Sequence, residues 1–298
     1  MPRIGSESAM DILIFGTISA SILLLSSIGF SMTLKTEGFI NIAHGQALLM
    51  GAYLALWLDG LGLPLWAAAI LASIGCGFTG VILNRVLFKP VKSKGILVLL
   101  FTSVGAAYVI YGIVGALAGK RMLAFDLPPM RAWQIAGQPF MTPYEFAIVL
   151  LAIVSALGVH VFLTYTWAGK SIRAVADNED LARVRGFDPR RTSDIVWFVA
   201  TALAGLAGVF LGIVGSLHTQ MGWQMIIMIL AVTVLGGLGS IYGVMLASVV
   251  LAFGIEIGLM FVSSSYRTGL AFALIIAVLL VRPGGLQSLW GGGKTRTH

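Results

Sequence analysis

A short, strongly charged segment lies between two long apolar stretches of this chain. Residues 168–194 hold 11 of the 31 charged residues, whereas residues 146–169 and 195–255 carry no other formal charge. Apolar runs of this length can cross a lipid bilayer, and a charged segment between them must lie in water. The pattern predicts a membrane protein with a polar loop at 168–194.

The composition of the whole chain supports that class. Charged residues make up 10% of the 298 residues, against roughly 25% in a soluble domain. The hydrophobic fraction is 58% and the mean hydropathy is +0.96. The net charge of +7 is therefore attributed to membrane topology rather than to nucleic-acid binding. The single cysteine, Cys76, excludes an internal disulfide.

The predicted fold is all-α and polytopic, with about eight transmembrane helices and one re-entrant half-helix in a single domain over residues 1–298. The first span is too long for a signal-peptide core, so it is expected to stay uncleaved. A stretch at 225–235 is too short to cross, and Gly236, Gly237 and Gly239 break any helix after it. The predicted spans are residues 12–34, 38–58, 61–83, 95–119, 146–169, 195–214, 241–262 and 268–281.

Basic residues are distributed unevenly between the two sides that these spans define. With the N-terminus outside and the half-helix entering and stopping, 14 of the 19 basic residues fall on one side and five on the other. Cytoplasmic loops are enriched in Lys and Arg. The side that holds loop 168–194 and the C-terminus is therefore predicted to be cytoplasmic.

Loop 168–194 also carries the signals of a short helix at about 179–185. Asp177 or Asn178 can cap its start, and Gly186 is suited to its C-terminal stop. Acidic residues stand near the first turn and basic residues near the last, as the helix dipole favours. A solvated loop that only sets the topology remains the alternative. The residues singled out are Asn178, Glu179, Asp180, Leu181, Arg183, Val184, Arg185 and Gly186.

Polar residues inside the predicted spans are the candidates for a substrate pathway. Asn41 and His44 are one helical turn apart and should share a face, with Gln46 nearby and all three near the cytoplasmic side. Glu256 is the one acid deep in a span, in its outer half. An intramembrane carboxylate indicates a functional site, and a helix-to-helix hydrogen bond is the alternative role.

Nothing in the sequence indicates an enzyme, a cofactor or a metal site. The four histidines are scattered, and no nucleophile–base pair stands out. TYTWAGKS at 164–171 ends like a phosphate-binding loop, but it lacks the first glycine and follows a membrane span rather than a strand.

Three stretches together resemble one family. GFINIAHGQALLMGAY at 38–53, GKSIRAVADNEDLARVRGFD at 169–188 and VLGGLGSIYGVMLASVVLAFGIE at 234–256 are similar to blocks of the permeases of branched-chain amino acid ABC importers, the LivH type. They occur in the family's order across most of the chain. Gln46 stands where the family usually has Glu, which leaves a carboxylate role at that position in doubt.

The resemblance implies a multi-pass protein of the bacterial inner membrane that moves a small solute by alternating access. Its implied partners are cytoplasmic ATPase subunits that hydrolyse ATP, a second permease subunit, identical or not, an extracytoplasmic substrate-binding protein and membrane lipid. Loop 168–194 would be the coupling element. The implied cargo is a branched-chain or other amino acid, urea or a small amide, and the scarcity of buried charges suits a neutral or zwitterionic solute.

Two other classes remain open from the residues alone. A secondary transporter driven by an ion gradient would require ionisable residues at mid-membrane, and Glu256 is the one that qualifies. A channel or structural membrane protein would not explain an ordered polar helix at 179–185. Transport that follows ATP, measured with and without an ion gradient, separates the three.

Overall fold

The computed structural model describes residues 6–119, 121–135, 138–281 and 285–286. This part of the chain is mainly helical, as predicted, and it includes one short antiparallel hairpin, β1 (Gln134–Ile135) with β2 (Gln138–Pro139). The helices are α1 (Ser6–Glu37), α2 (His44–Gly60), α3 (Leu65–Leu83), α4 (Lys89–Val91), α5 (Ile96–Ala118), α6 (Pro143–Tyr165), α7 (Trp167–Asp177), α8 (Glu179–Val184), α9 (Pro189–Val214), α10 (Met221–Gly236), α11 (Ile241–Gly258) and α12 (Arg267–Val281).

Six of the described helical stretches, rather than eight, are long and apolar enough to cross a membrane. The second predicted span is shortened because α2 begins at His44 and not at residue 38. α12 also has only 15 residues. The six are Met10–Glu37, Leu65–Lys94, Ile96–Ala118, Pro143–Tyr165, Pro189–Val214 and Ile241–Gly258. The second of these is longer than α3 because a π-helical segment (Asn84–Phe88), α4 and a 3-10 turn (Lys92–Lys94) extend it.

The predicted half-helix at 225–235 is longer than expected. α10 has 16 residues and begins at Met221. Gly236 is its last residue rather than part of the break. The break itself lies at Gly237 and Gly239, which have φ angles of +98° and +78° that a side chain would strain.

α1 and α9 form the centre of the bundle, whereas α5 and α6 lie at its periphery. The apolar windows of α1 and α9 are mostly buried inside the protein, and those of α5 and α6 are mostly exposed. Such exposed apolar helix faces suit contact with lipid. Helices approach closely where they are lined by small residues: Gly208 of α9 packs on the backbone of Leu48 in α2, and Gly51 of α2 packs on Gly205.

One end of the bundle gathers the charged segments. There Ser193, near the start of α9, donates a hydrogen bond to Glu37 at the end of α1. Gly239, after α10, packs on Lys35 of α1. We call this the charged end. α11 begins beside it and runs antiparallel to α1, so that Glu256 reaches Ser19, which lies about 27 Å along α1 from Glu37.

We expect the charged end to face the cytoplasm, with the N-terminus outside. In a Cys76→Ala background, Arg191→Cys, an exposed position at the charged end, should react with an impermeant maleimide only from the cytoplasmic side. Asp126→Cys, in the exposed α5–α6 connection, should react from outside in intact cells. The reverse pattern would contradict the orientation. Arg3, Lys120, Arg282, Lys294 and Arg296, which the charge count included, lie outside the described residues.

Candidate functional site

The predicted helix in loop 168–194 is present as α8. The side chain of Asn178 accepts a hydrogen bond from the Leu181 amide at 2.9 Å, which makes it the N-cap. At the other end, Gly186 has a φ of +85° and its amide donates to the carbonyl of Arg183, while the Phe187 amide donates to Ala182. These two bonds form a Schellman motif, so both ends of this six-residue helix are fixed.

α8 presents a mixed surface to solvent. Leu181 and Val184 are 52% and 84% exposed, although both are aliphatic. Charged side chains surround them, and the Asp180 side chain is 94% exposed. Because Ala182 is buried against the body of the protein, the helix is seated and does not project freely. This exposed aliphatic pair, surrounded by charged side chains, is a candidate interaction surface.

An ion-pair network fastens α8 to the charged end. Lys92 Nζ lies 3.2 Å from Glu37 Oε2 and 3.3 Å from Glu179 Oε2. Arg183 Nη2 lies 3.1 Å from Glu179 Oε1. Lys92 therefore joins the first turn of α8 to the last turn of α1. No local sequence pattern indicates this role for Lys92 and Glu37, because the partners are far apart in the chain.

The rest of the loop is also helical, which moves the ends of the two flanking predicted spans. α6 ends at Tyr165 rather than at residue 169, because the Thr166 side chain accepts a hydrogen bond from Gly169 and starts α7. α9 begins at Pro189 rather than at residue 195, and Asp188 is its N-cap. The amphipathic α7 is held to α9 by the hydrogen bond between Ser171 and Thr192 at 2.5 Å.

The polar residues before and within α2 do not share one helix face. Asn41 precedes α2, and its Oδ1 accepts a hydrogen bond from the Ala43 amide at 3.1 Å, forming a turn. The ring of His44 hydrogen-bonds through Nε2 to the Ser26 carbonyl at 2.9 Å and packs edge-on against Phe30. Ser26 lies about 16 Å along α1 from Glu37, so His44 lies farther from the charged end than the sequence suggested.

Gln46 is fully buried, and its amide makes no hydrogen bond within the described part of the chain. It lies against Gly222 at the start of α10, where no side chain intervenes. A buried amide without a protein partner is costly unless water or a ligand satisfies it. Gln46 therefore stays a candidate for the pathway, separate from Glu256.

Glu256 is not a lone carboxylate deep in a span. α11 ends at Gly258, so Glu256 lies in its last turn. Its Oε1 lies 2.9 Å from Nη1 of Arg267, at the start of α12, and 3.4 Å from the Ser19 hydroxyl. The hydroxyl contact to α1 is the helix-to-helix bond that was the alternative role.

Glu256 and Arg267 line a cavity of about 540 Å³, and His218 and Gln224 line it as well. His218 Nε2 lies 3.2 Å from the Gln224 side-chain oxygen. Asn41, His44 and Gln46 do not line this cavity. The structure therefore separates the predicted pathway residues into a buried group beside α2 and an ion pair on a cavity wall.

Comparison with known proteins places these features in a family. The model of the family described as "Branched-chain amino acid transport system / permease component" matches residues 12–279, which is most of the chain. The chain belongs to this family. It is a permease subunit of an ABC transporter, and it is not itself an enzyme. The family implies ATPase subunits and a second permease subunit as partners, and a multi-pass location in the inner membrane.

Individual relatives match over nearly the same length. The permease is 26% identical to the high-affinity branched-chain amino acid transport system permease protein LivH of Escherichia coli strain K12, with 91% of this chain and 92% of LivH covered. It is 27% identical to BraD of Pseudomonas aeruginosa, the corresponding high-affinity branched-chain amino acid permease, with 92% and 94% covered.

A solved structure shares the fold. A chain of PsaBC from Streptococcus pneumoniae, in complex with Fab, superposes with a TM-score of 0.52 at 14% identity, covering 93% of this permease and 94% of that chain. At this identity the likeness concerns the fold alone. It agrees with the helical bundle described above.

Proposed function

We propose that this permease carries a small amino acid into the cytoplasm by alternating access, driven by partner ATPase subunits that dock on α8. The observation that carries the proposal is the surface of α8, which is capped at both ends and exposes Leu181 and Val184. A rigid helix with an aliphatic pair can transmit the movement of a partner because it does not deform when pushed. A loop that only sets topology has no need of that rigidity.

Three groups of features support the details of the coupling. The residues from Asn178 to Gly186 form the surface offered to the ATPase. Lys92 and Glu37 pass its displacement to α1. α1 then packs along α9 and α11, which makes it the element through which the pore rearranges.

The cargo is proposed from the relatives and from the charges inside the bundle. LivH and BraD are both described as branched-chain amino acid permeases. A neutral or zwitterionic cargo suits a pathway in which Glu256 is paired with Arg267. A substrate-binding protein would deliver the solute at the end opposite the charged end, so that the charged end and the C-terminus face the cytoplasm.

Reconstitution in vesicles tests this function. The permease, with its partner permease, its ATPase subunits and a binding protein, should import radiolabelled L-leucine when ATP is supplied on the ATPase side. A proton or sodium gradient without ATP should give no uptake. Uptake driven by the gradient alone would instead support a secondary transporter, and leak independent of both would support a channel.

A further inference from the structure

The cavity beside Glu256 has an unusual distribution of charge. It is lined by residues of α1, α9, α10, α11 and the start of α12, and its volume of about 540 Å³ lies within the range of small-molecule sites, roughly 300–1,000 Å³. Among the described residues that line it, formal charge is carried by Glu256 and Arg267 alone. The cavity thus offers one negative and one positive group.

The two charges are held close together and are partly desolvated. The Glu256 side chain is 9% exposed and the Arg267 side chain 43%, and Oε1 of Glu256 makes both the ion pair and the Ser19 contact. In the described part of the chain, Oε2 of Glu256 makes no hydrogen bond. A second oxygen and most of the guanidinium donors therefore remain for another partner.

We propose that this cavity binds a zwitterionic α-amino acid, with the ammonium group on Glu256 and the carboxylate on Arg267. The inference rests on the proposed transport function and assigns two residues that would bind the cargo.

Charge balance explains why the ligand would be a zwitterion. Its ammonium and carboxylate replace one protein ion pair with two protein–ligand pairs, so the site stays neutral and no buried charge is left alone. A ligand with a single charge would leave Glu256 or Arg267 uncompensated. Urea or a simple amide has no charge with which to compete for the ion pair. The cavity therefore favours amino acids over those solutes.

One part of the wall suits an aliphatic side chain, whereas other parts carry hydroxyl, imidazole and amide groups. The apolar part consists of aliphatic and thioether groups, which can pack against a branched ligand, and methionine adapts to ligands of different shape. These groups belong to Ile22, Leu23, Met225, Met228 and Ile255. They lie on α1, α10 and α11, the helices that surround the ion pair. The apolar part of the amino acid would bury against them while its charged groups meet Glu256 and Arg267.

Titration calorimetry of the permease–ATPase complex without a binding protein tests the proposal. The ligands are L-leucine, L-leucinamide, which lacks the carboxylate, and 4-methylpentanoate, which lacks the ammonium. Each analogue should bind at least tenfold more weakly than leucine, because a charged hydrogen-bonding group has lost its partner. Glu256→Gln should remove the preference for leucine over 4-methylpentanoate, and Arg267→Gln the preference for leucine over leucinamide. If the ion pair had only a structural role, the two substitutions would not each remove the preference of leucine over one particular analogue.

Matched controls are Asp126→Asn and Arg131→Gln, which neutralise one exposed acid and one exposed base in the α5–α6 connection. Both should keep the wild-type preferences.

If the two test variants fail to fold, the wild-type series still decides: equal binding of leucine and its analogues contradicts the proposal. Suppose that the complete system imports leucine with ATP while the wild-type permease–ATPase complex binds no leucine in the calorimetric titration. In that case this inference fails and the proposed function stands. If the complete system imports no amino acid, the proposed function itself fails.

Discussion

The double substitution Leu181→Asp and Val184→Asp is expected to reduce substrate-stimulated ATP hydrolysis and transport together by at least tenfold. Each exposed aliphatic side chain can contribute about 1.5–3 kcal/mol when it is buried against a partner, and about 1.4 kcal/mol corresponds to tenfold in affinity. Carboxylates at the same positions also resist burial. ATPase activity of the reconstituted complex, with and without substrate, measures the effect.

A matched control is Met122→Asp with Met130→Asp, two exposed apolar residues in the α5–α6 connection. Because this connection lies at the end where the binding protein is proposed to deliver the solute, the variant is a control for ATPase docking, and it should still co-purify with the ATPase subunits. Gly186→Val should act like the α8 double variant, because valine tolerates the φ of +85° poorly and the Schellman end would open. All three variants should insert and purify normally, since none of them alters a spanning helix. Full stimulation in the α8 double variant would contradict a coupling role.

Gly208→Ala is expected to destabilise the folded permease severely. The added methyl group would overlap the carbonyl oxygen of Leu48, and both atoms belong to helix backbones that cannot move independently. Overpacking of a core costs roughly 1–3 kcal/mol or more. The thermal midpoint in detergent should therefore fall by roughly 5 °C or more. Fluorescence-detected unfolding of the purified protein measures this shift.

The matched control for the close approach is Gly105→Ala in α5. A methyl group at Gly105 meets no atom within 4 Å, so the same exchange should leave the midpoint unchanged or slightly raised through better helix propensity. If the two variants unfold alike, the contact between α2 and α9 is not tightly packed.

Hydropathy predicted the long helices well and their ends poorly. Charge-free runs located α1, α5 and α11 because a bilayer requires such lengths. The start of α2 was missed because the Asn41 side chain captures the Ala43 amide and holds residues before His44 out of the helix. The first turn of α10 was missed because Gln224 made that stretch look polar, although its amide oxygen pairs with His218 within the fold.

In the candidate site, interactions between neighbouring residues could be predicted from the sequence, whereas interactions between distant residues could not. The caps of α8 could be predicted because Asn178 and Gly186 act on residues three or four positions away. The pairing of Lys92 with Glu179 joins residues 87 positions apart, so no local pattern indicates it. Glu256 looked unpaired in the sequence because Arg267 lies beyond a turn and on the next helix.

α1 connects the α8 surface with the cavity beside Glu256, two sites that share no residue and are proposed to bind different partners. Glu37, in the last turn of α1, forms an ion pair with Lys92. Ser19 contacts Glu256 and lies about 27 Å from Glu37 along the same helix. A displacement of α1 along its axis changes both contacts at once. Thermodynamic linkage then requires reciprocity: if ATPase docking alters the affinity of the cavity, occupancy of the cavity must alter the affinity for the ATPase by the same factor. Amino-acid binding inside the bundle would thus act as an effector of a partner that never touches it.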